Sequence, residues 1–199
     1  MVSNPGRRTA LLDAGIEVIA AAGARGLTFR AVDEEAGVPT GTTSNYFANR
    51  DALLRELGHY VFVRLTPDAD TVAARLAEPP SRELEVALMQ DIVARARADR
   101  AGYLALFELR LEAARRPELQ EAFTARYRAN LDEITTAHVE GGFPGGATTA
   151  LLLYLAMSGL LLEHLTLPGV MDVDDAGLED LVRALVVAVV PAPEREQLA

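Results

Sequence analysis

Apolar positions recur along this chain at the three-to-four-residue spacing of amphipathic helices, and Pro or Gly punctuates them. Leu11, Ala14, Gly15, Val18, Ile19 and Ala22 form a first stripe, preceded by Ser3-Asn4-Pro5 as a start signal and ended by Gly23 to Gly26. Thr28 is placed to cap a second helix, because its oxygen can accept a free first-turn N–H, and Phe29, Val32 and Ala36 give that helix its apolar stripe. Gly37 permits a left-handed stop, Val38 plugs the corner, and Pro39 prevents continuation. A short helix over about 40–47 follows, nearly uncharged and rich in hydroxyl and amide groups. Asn49 caps a fourth helix carrying Leu53, Leu54, Leu57, Val61 and Leu65, which Thr66-Pro67 ends.

The remainder predicts further helices over 68–77, from Ser81 onward, 101–115, 117–140, 147–167 and 178–190. Leu84, Ala87, Leu88, Ile92 and Val93 face the core in the second of these, and Tyr103, Leu104, Phe107 and Leu111 in the third. The motif GGFPGG separates the helix ending near Glu140 from the next. No strand pattern, repeat or low-complexity tract is present, so the fold class is all-α. The division expected is an N-terminal helix-turn-helix domain over 1–50, a larger helical domain over 51–190, and a frayed tail over 191–199.

Helix, glycine corner, short polar helix is the helix-turn-helix pattern, whose second helix enters a DNA major groove. The stretch LTFRAVDEEAGVPTGTTSNYFANRDALL resembles the DNA-binding region of TetR-type bacterial transcriptional regulators. The AGV corner, the Gly-Thr pair opening the recognition helix, the aromatic-Phe pair closing it and the charged residue before Ala-Leu-Leu carry the resemblance. Two positions depart from it. Thr43 and Ser44 stand where relatives carry an apolar residue and then Tyr, and Asp33 stands where a small residue is usual. Asp33 either caps the recognition helix or is solvated.

The DNA-contacting candidates are Thr28, Arg30, Thr40, Gly41, Thr42, Ser44, Asn45, Tyr46 and Arg50. Hydroxyls of Thr40, Thr42 and Tyr46 suit phosphate, Gly41 lets backbone approach closely, and Ser44 and Asn45 suit base edges. Arg30 can reach guanine, and Arg50 at a helix start would hold a phosphate together with free N–H groups. Arg7 and Arg8 either reach phosphate or are solvated.

The helices over 147–167 and 178–190 are apolar nearly all round, which requires cover on every side. The expected solution is a four-helix bundle made by two copies, through Leu153, Leu160, Leu161, Leu181 and Leu185; a pair of central core helices is the alternative. The resemblance points to the same homodimer, and it implies a repressor of a palindromic operator released by a small-molecule effector. Phe62, Met89, Tyr103, Phe107, Tyr127, Tyr154 and Met157 are the pocket candidates, each equally readable as core.

Composition narrows this picture. Net charge is −10, and the deficit lies beyond residue 65, where twelve Arg face twenty-two acids; residues 1–65 balance seven Arg with seven acids. Such a chain suits local rather than general attraction to nucleic acid. Absent Cys excludes disulfides and suits a reducing cytoplasm. Arg7-Arg8 and the following apolar stretch imitate an export signal, but Asp13 and Glu17 interrupt it. The uncharged run 141–162 begins with GGFPGG, so its apolar helix is expected to fall short of the ~20 residues that span a bilayer. His59, His138 and His164 match no metal spacing, and no nucleophile or phosphate-loop motif occurs, so neither enzyme activity nor a cofactor is expected. The alternatives are an all-helical scaffold without DNA affinity, or a small helical enzyme using a pocket in the second domain.

Overall fold

The computed structural model describes residues 4–192, which form ten helices and, among the described residues, no strand. They are α1 (Pro5–Gly26), α2 (Phe29–Glu35), α3 (Thr42–Tyr46), α4 (Arg50–Leu65), α5 (Ala69–Leu76), α6 (Arg82–Ala98), α7 (Arg100–Ala113), α8 (Pro117–Glu140), α9 (Gly146–Thr166) and α10 (Asp175–Val189). Residues 193–199 of the expected tail lie outside the described residues. The chain divides into two compact units, Met1–Thr66 with Asp99–Ala125, and Pro67–Ala98 with Arg126–Ala199. Neither is continuous in sequence.

In the first unit the start signals act as their chemistry dictates. Asn4, Thr28 and Asn49 accept hydrogen bonds from the N–H groups of Arg7, Ala31 and Ala52, capping α1, α2 and α4. Gly23 leaves the helical region at φ 68°, so α1 is broken where the sequence placed its stop. α1, α4 and α7 pack together around Leu11, Ile16, Ile19, Leu53, Leu57 and Leu109. Gly15 permits this, since a Cβ there would lie 2.8 Å from Leu57 Cδ2. The buried face of α7 is Gly102, Ala105, Leu109 and Ala113, whereas Leu111 of the expected stripe is exposed. Small residues allow close approach at this packing face, but they are weak in a hydrophobic pattern.

In the second unit α6, α9 and α10 share a cluster of Val86, Leu153, Val186 and Val190, with Met89, Leu185 and Val189 against it. α5 buries no residue; Arg75 holds it to α6 through a paired hydrogen bond to Asp91 at 2.9 and 3.2 Å. Arg82 donates to the carbonyl of Val190 at 2.6 Å, closing the end of α10 onto the start of α6. α9 corrects one expectation: its 21 residues are long and apolar enough to cross a membrane by length and composition alone. The helix runs on through Glu163 and His164, past the uncharged run that set the sequence estimate. One face packs on α6 and α10, and Leu151, Leu152, Leu155 and Leu162 on the other are exposed.

Candidate nucleic-acid interface

The corner between α2 and α3 is built by glycine and by one buried carboxylate. Gly37 at φ 62° ends α2; its N–H donates to Glu34 O, and the N–H of Val38 to Asp33 O, the paired bonds of a left-handed helix stop. Gly41 at φ 92° opens α3, a conformation that a side chain would strain. α3 has no side-chain cap at that position. Asp33 supplies the cap from α2. It is 1% exposed and accepts from Gly41 N at 2.7 Å, Thr43 N at 2.7 Å and Thr43 Oγ1 at 2.5 Å. This settles the open choice at Asp33 in favour of capping. It also accounts for the paired departures from the family pattern, because the buried Thr43 hydroxyl is the partner of the buried acid.

Side chains of α3 then separate by register. Thr43, Tyr46 and Phe47 are buried, while Thr40, Ser44 and Asn45 are exposed. Tyr46, a phosphate candidate, is buried and lies one turn from Thr43 on the inward face. Thr42 Oγ1 donates to Pro39 O at 2.5 Å and Ser44 Oγ to Gly41 O at 2.7 Å. Both hydroxyl protons are spent within the turn, so these groups present lone pairs outward. That suits Ser44 to accept from a base amino group, and it removes Thr42 as a donor to phosphate in this state. Thr28 accepts from Ala31 N at 3.0 Å and keeps its proton for an outside acceptor.

The arginines fall into two kinds. Arg50, a phosphate candidate, donates Nε to Leu27 O at 2.9 Å and Nη2 to Ala24 O, so it clamps the end of α1 to the start of α4. Arg8 likewise turns inward. It donates to both oxygens of Glu56 and, at 3.1 Å, to Tyr46 O at the end of α3, and its guanidinium carbon sits 4.6 Å from the Phe47 ring centroid. Neither partner was legible, since Glu56 stands 48 residues from Arg8 and backbone carbonyls leave no mark in a sequence. Arg7 is exposed, and Arg30 is exposed in a 2.8 Å pair with Glu34, which raises its pKa through the hydrogen bond and partly offsets its charge.

The interface candidates change more. Leu153, Leu160 and Leu161 are buried within the single chain, and Leu185 packs on the α6–α9–α10 cluster. Of the five residues expected between copies, Leu181 alone is exposed. The uncovered apolar faces are instead Leu151, Leu152, Leu155 and Leu162 of α9, with Leu181 and Val187 of α10. A helix that is apolar all round cannot declare which side its own chain covers. The pocket candidates lie in both units. Phe62 packs edge-on to Phe123 at 5.4 Å in the first, where Tyr103 and Phe107 are half-buried. In the second, Met157 is buried, Met89 borders the core cluster, and Tyr127 and Tyr154 are half-buried.

An all-helical chain with a capped, glycine-cornered pair α2–α3 belongs to the helix-turn-helix class. Comparison with known proteins makes the assignment specific. Residues 11–57 match the model for bacterial regulatory proteins of the tetR family, and residues 80–192 match the tetracyclin repressor-like C-terminal domain. The chain belongs to the TetR family of bacterial regulators. Among solved structures, a TetR-family member from Streptomyces coelicolor A3 is 26% identical, with a TM-score of 0.69 and coverage of 94% of this chain and 100% of its own. The multidrug binding protein EbrR complexed with malachite green is 28% identical, with a TM-score of 0.66 over 94% of this chain and 100% of that one. The fatty acid degradation regulator FadR from Bacillus halodurans shares the fold at 18% identity, with a TM-score of 0.72 over 98% of this chain and 100% of its own. No curated protein matches significantly.

Proposed function

We propose that this protein is a sequence-specific DNA-binding transcriptional regulator, a cytoplasmic repressor that binds a palindromic operator as a dimer and is released by a small molecule. Residues 1–50 read DNA and residues 51–190 bind the effector and the second copy. The observation that carries the reading is the outward face of α3. Thr40, Ser44 and Asn45 stand exposed on a turn that Asp33 and two left-handed glycines hold rigid. Asn45 pairs with adenine through its amide, and Arg30 reaches the adjoining base or phosphate. The effector is mainly apolar, in keeping with the malachite green complex of EbrR.

Selection of bound duplexes from a random pool tests this. A palindromic site should emerge, and Asn45→Ala should weaken it by ~1–3 kcal/mol with relaxed preference at one position in each half-site. Equal losses on selected and random DNA would remove base reading from α3. The dimer is tested separately, on the face that the chain leaves uncovered. Leu155, 55% exposed, and Leu181 are the positions to change. Leu155→Arg and Leu181→Arg should each sediment as folded monomers where the parent sediments as a dimer. Leu160→Arg would disrupt the chain's own core and tests nothing between copies.

A further inference from the structure

The second unit, which does not include the DNA-reading helix α3, buries a pair of ionisable side chains. Glu85 on α6 and His138 in the last turn of α8 are 3% and 6% exposed. His138 Nδ1 lies 2.8 Å from Glu85 Oε1, and its Nε2 lies 3.2 Å from the carbonyl of Pro144 in the turn before α9. Phe143 of the same turn stacks on the imidazole, with centroids 5.5 Å apart. One histidine therefore ties α6, the end of α8 and the GGFPGG turn together.

The proton count of this joint is fixed by its partners. A carbonyl only accepts, so Nε2 carries a hydrogen. The Nδ1···Oε1 contact needs one proton between two atoms that otherwise present lone pairs to each other. Carboxylate with imidazolium, or carboxylic acid with imidazole, satisfies every atom equally. We infer that the Glu85–His138 pair is a proton-held lock on the turn between α8 and α9, closed while the pair keeps its shared proton and opened when that proton leaves.

Other charges do not substitute for the proton. Burial raises the Glu85 pKa, and the His138 charge and hydrogen bond oppose that rise. On α6, Arg82 is directed at Val190 O. Glu140 on α8 is exposed, as are Glu179, Asp180 and Arg183 on α10. Of the ionisable residues of α9, Glu163 and His164 lie at its far end from this turn and the half-buried Tyr154 lies in mid-helix. A raised folded-state pKa means stabilisation that is present at low pH and lost as pH rises through the folded value. Alkaline pH is thus the opening direction. Loss of the proton leaves one ring hydrogen for two acceptors: kept on Nδ1 it serves the Glu85 carboxylate and leaves Nε2 with a lone pair against the Pro144 carbonyl, so the tie to the turn is lost.

Glu85→Gln separates this lock from ordinary packing. The amide donates to the neutral imidazole at Nδ1 while Nε2–H still reaches Pro144, so the variant copies the protonated state and cannot lose it. Hydrogen exchange of the segment 138–150 in the full chain, corrected for intrinsic rate, reads the outcome. Over an upward pH range the parent should lose about tenfold of its protection for each pH unit past the loss of the shared proton, one titration unit being tenfold in the closing equilibrium. Glu85→Gln should stay within about twofold over the same range. Nitrogen NMR of labelled histidine in the parent supplies a second readout should the variant fold poorly. It should show the His138 Nδ1 resonance change together with the exchange. Parallel exchange profiles in parent and variant, or an Nδ1 resonance that does not move, would overturn the lock.

Discussion

Asp33→Ala should lower unfolding stability by about 3 kcal/mol, because three donors that converge on one buried carboxylate lose their acceptor together. A lost helix cap alone costs ~0.5–2 kcal/mol, and each buried donor left without a partner adds ~1–3 kcal/mol unless water reaches it. The turn lies near the surface, with Gly41 half-buried, so partial hydration keeps the total at the lower end. Asp33→Asn should cost less, about 1–2 kcal/mol, since the amide oxygen still accepts while its NH2 faces a backbone donor. Urea unfolding gives the stability. Operator titration gives the second half of the expectation: both variants should lose specific binding before they lose the fold, because α3 is only five residues long and has no other cap. A stability change under about 1 kcal/mol for Asp33→Ala would show that the cap is dispensable.

Asp33 also shows where sequence reasoning reaches its limit. The glycine corner, the caps at Asn4, Thr28 and Asn49, and the positions of all ten helices follow from local chemistry, and local chemistry is legible in order along a chain. α3 is shorter than its polar run, because Thr40 and Gly41 form the turn and Phe47 already leaves the helix. Long-range partners are one limit. Arg50 and Arg8 read by residue type as cations near a DNA-reading helix, but the partners they hold lie 23 to 48 positions away, and several are backbone carbonyls. Leu153, Leu160 and Leu161 show a second limit. In α9 the apolar residues run round the helix, so periodicity carries no information about which side the chain itself covers. Asp33 and Thr43 were visible as joint departures from the family pattern, and a charge and a hydroxyl appearing together at an interhelical contact is a signal of pairing.

Arg64→Met should be the second most damaging change, at about 2–3 kcal/mol near neutral pH. Arg64 joins three carboxylates of the first unit. It donates Nε to Asp99 Oδ2 at 2.7 Å and Nη2 to Asp99 Oδ1 at 2.6 Å, reaches Glu17 at 2.7 Å, and lies 3.7 Å from Asp13, which accepts from the Tyr60 hydroxyl at 2.7 Å. The figure sits below the ~3–5 kcal/mol of a fully buried pair because Glu17 and Asp13 remain partly hydrated. Asp99 also caps α7 through Gly102 N, so the same carboxylate orders two elements. The Arg64 hydrogen bond holds the Asp99 pKa below its ordinary value. A depressed pKa contributes stability that is present above the unfolded value and lost as pH falls through the folded one. The gap between parent and Arg64→Met should therefore narrow below about pH 4 as Asp99 takes up a proton. At the alkaline end Tyr60 is pushed up to about 12, by burial first and then by its bond to Asp13, so its contribution is present below the ordinary tyrosine value and fades only as pH rises toward that figure. Thermal unfolding of both proteins from pH 3 to pH 9 should trace a gap that is level from about pH 5 upward and closes on the acid side. A gap that stays constant down to pH 3 would mean that the loss comes from packing of the arginine stem and not from the charges it holds.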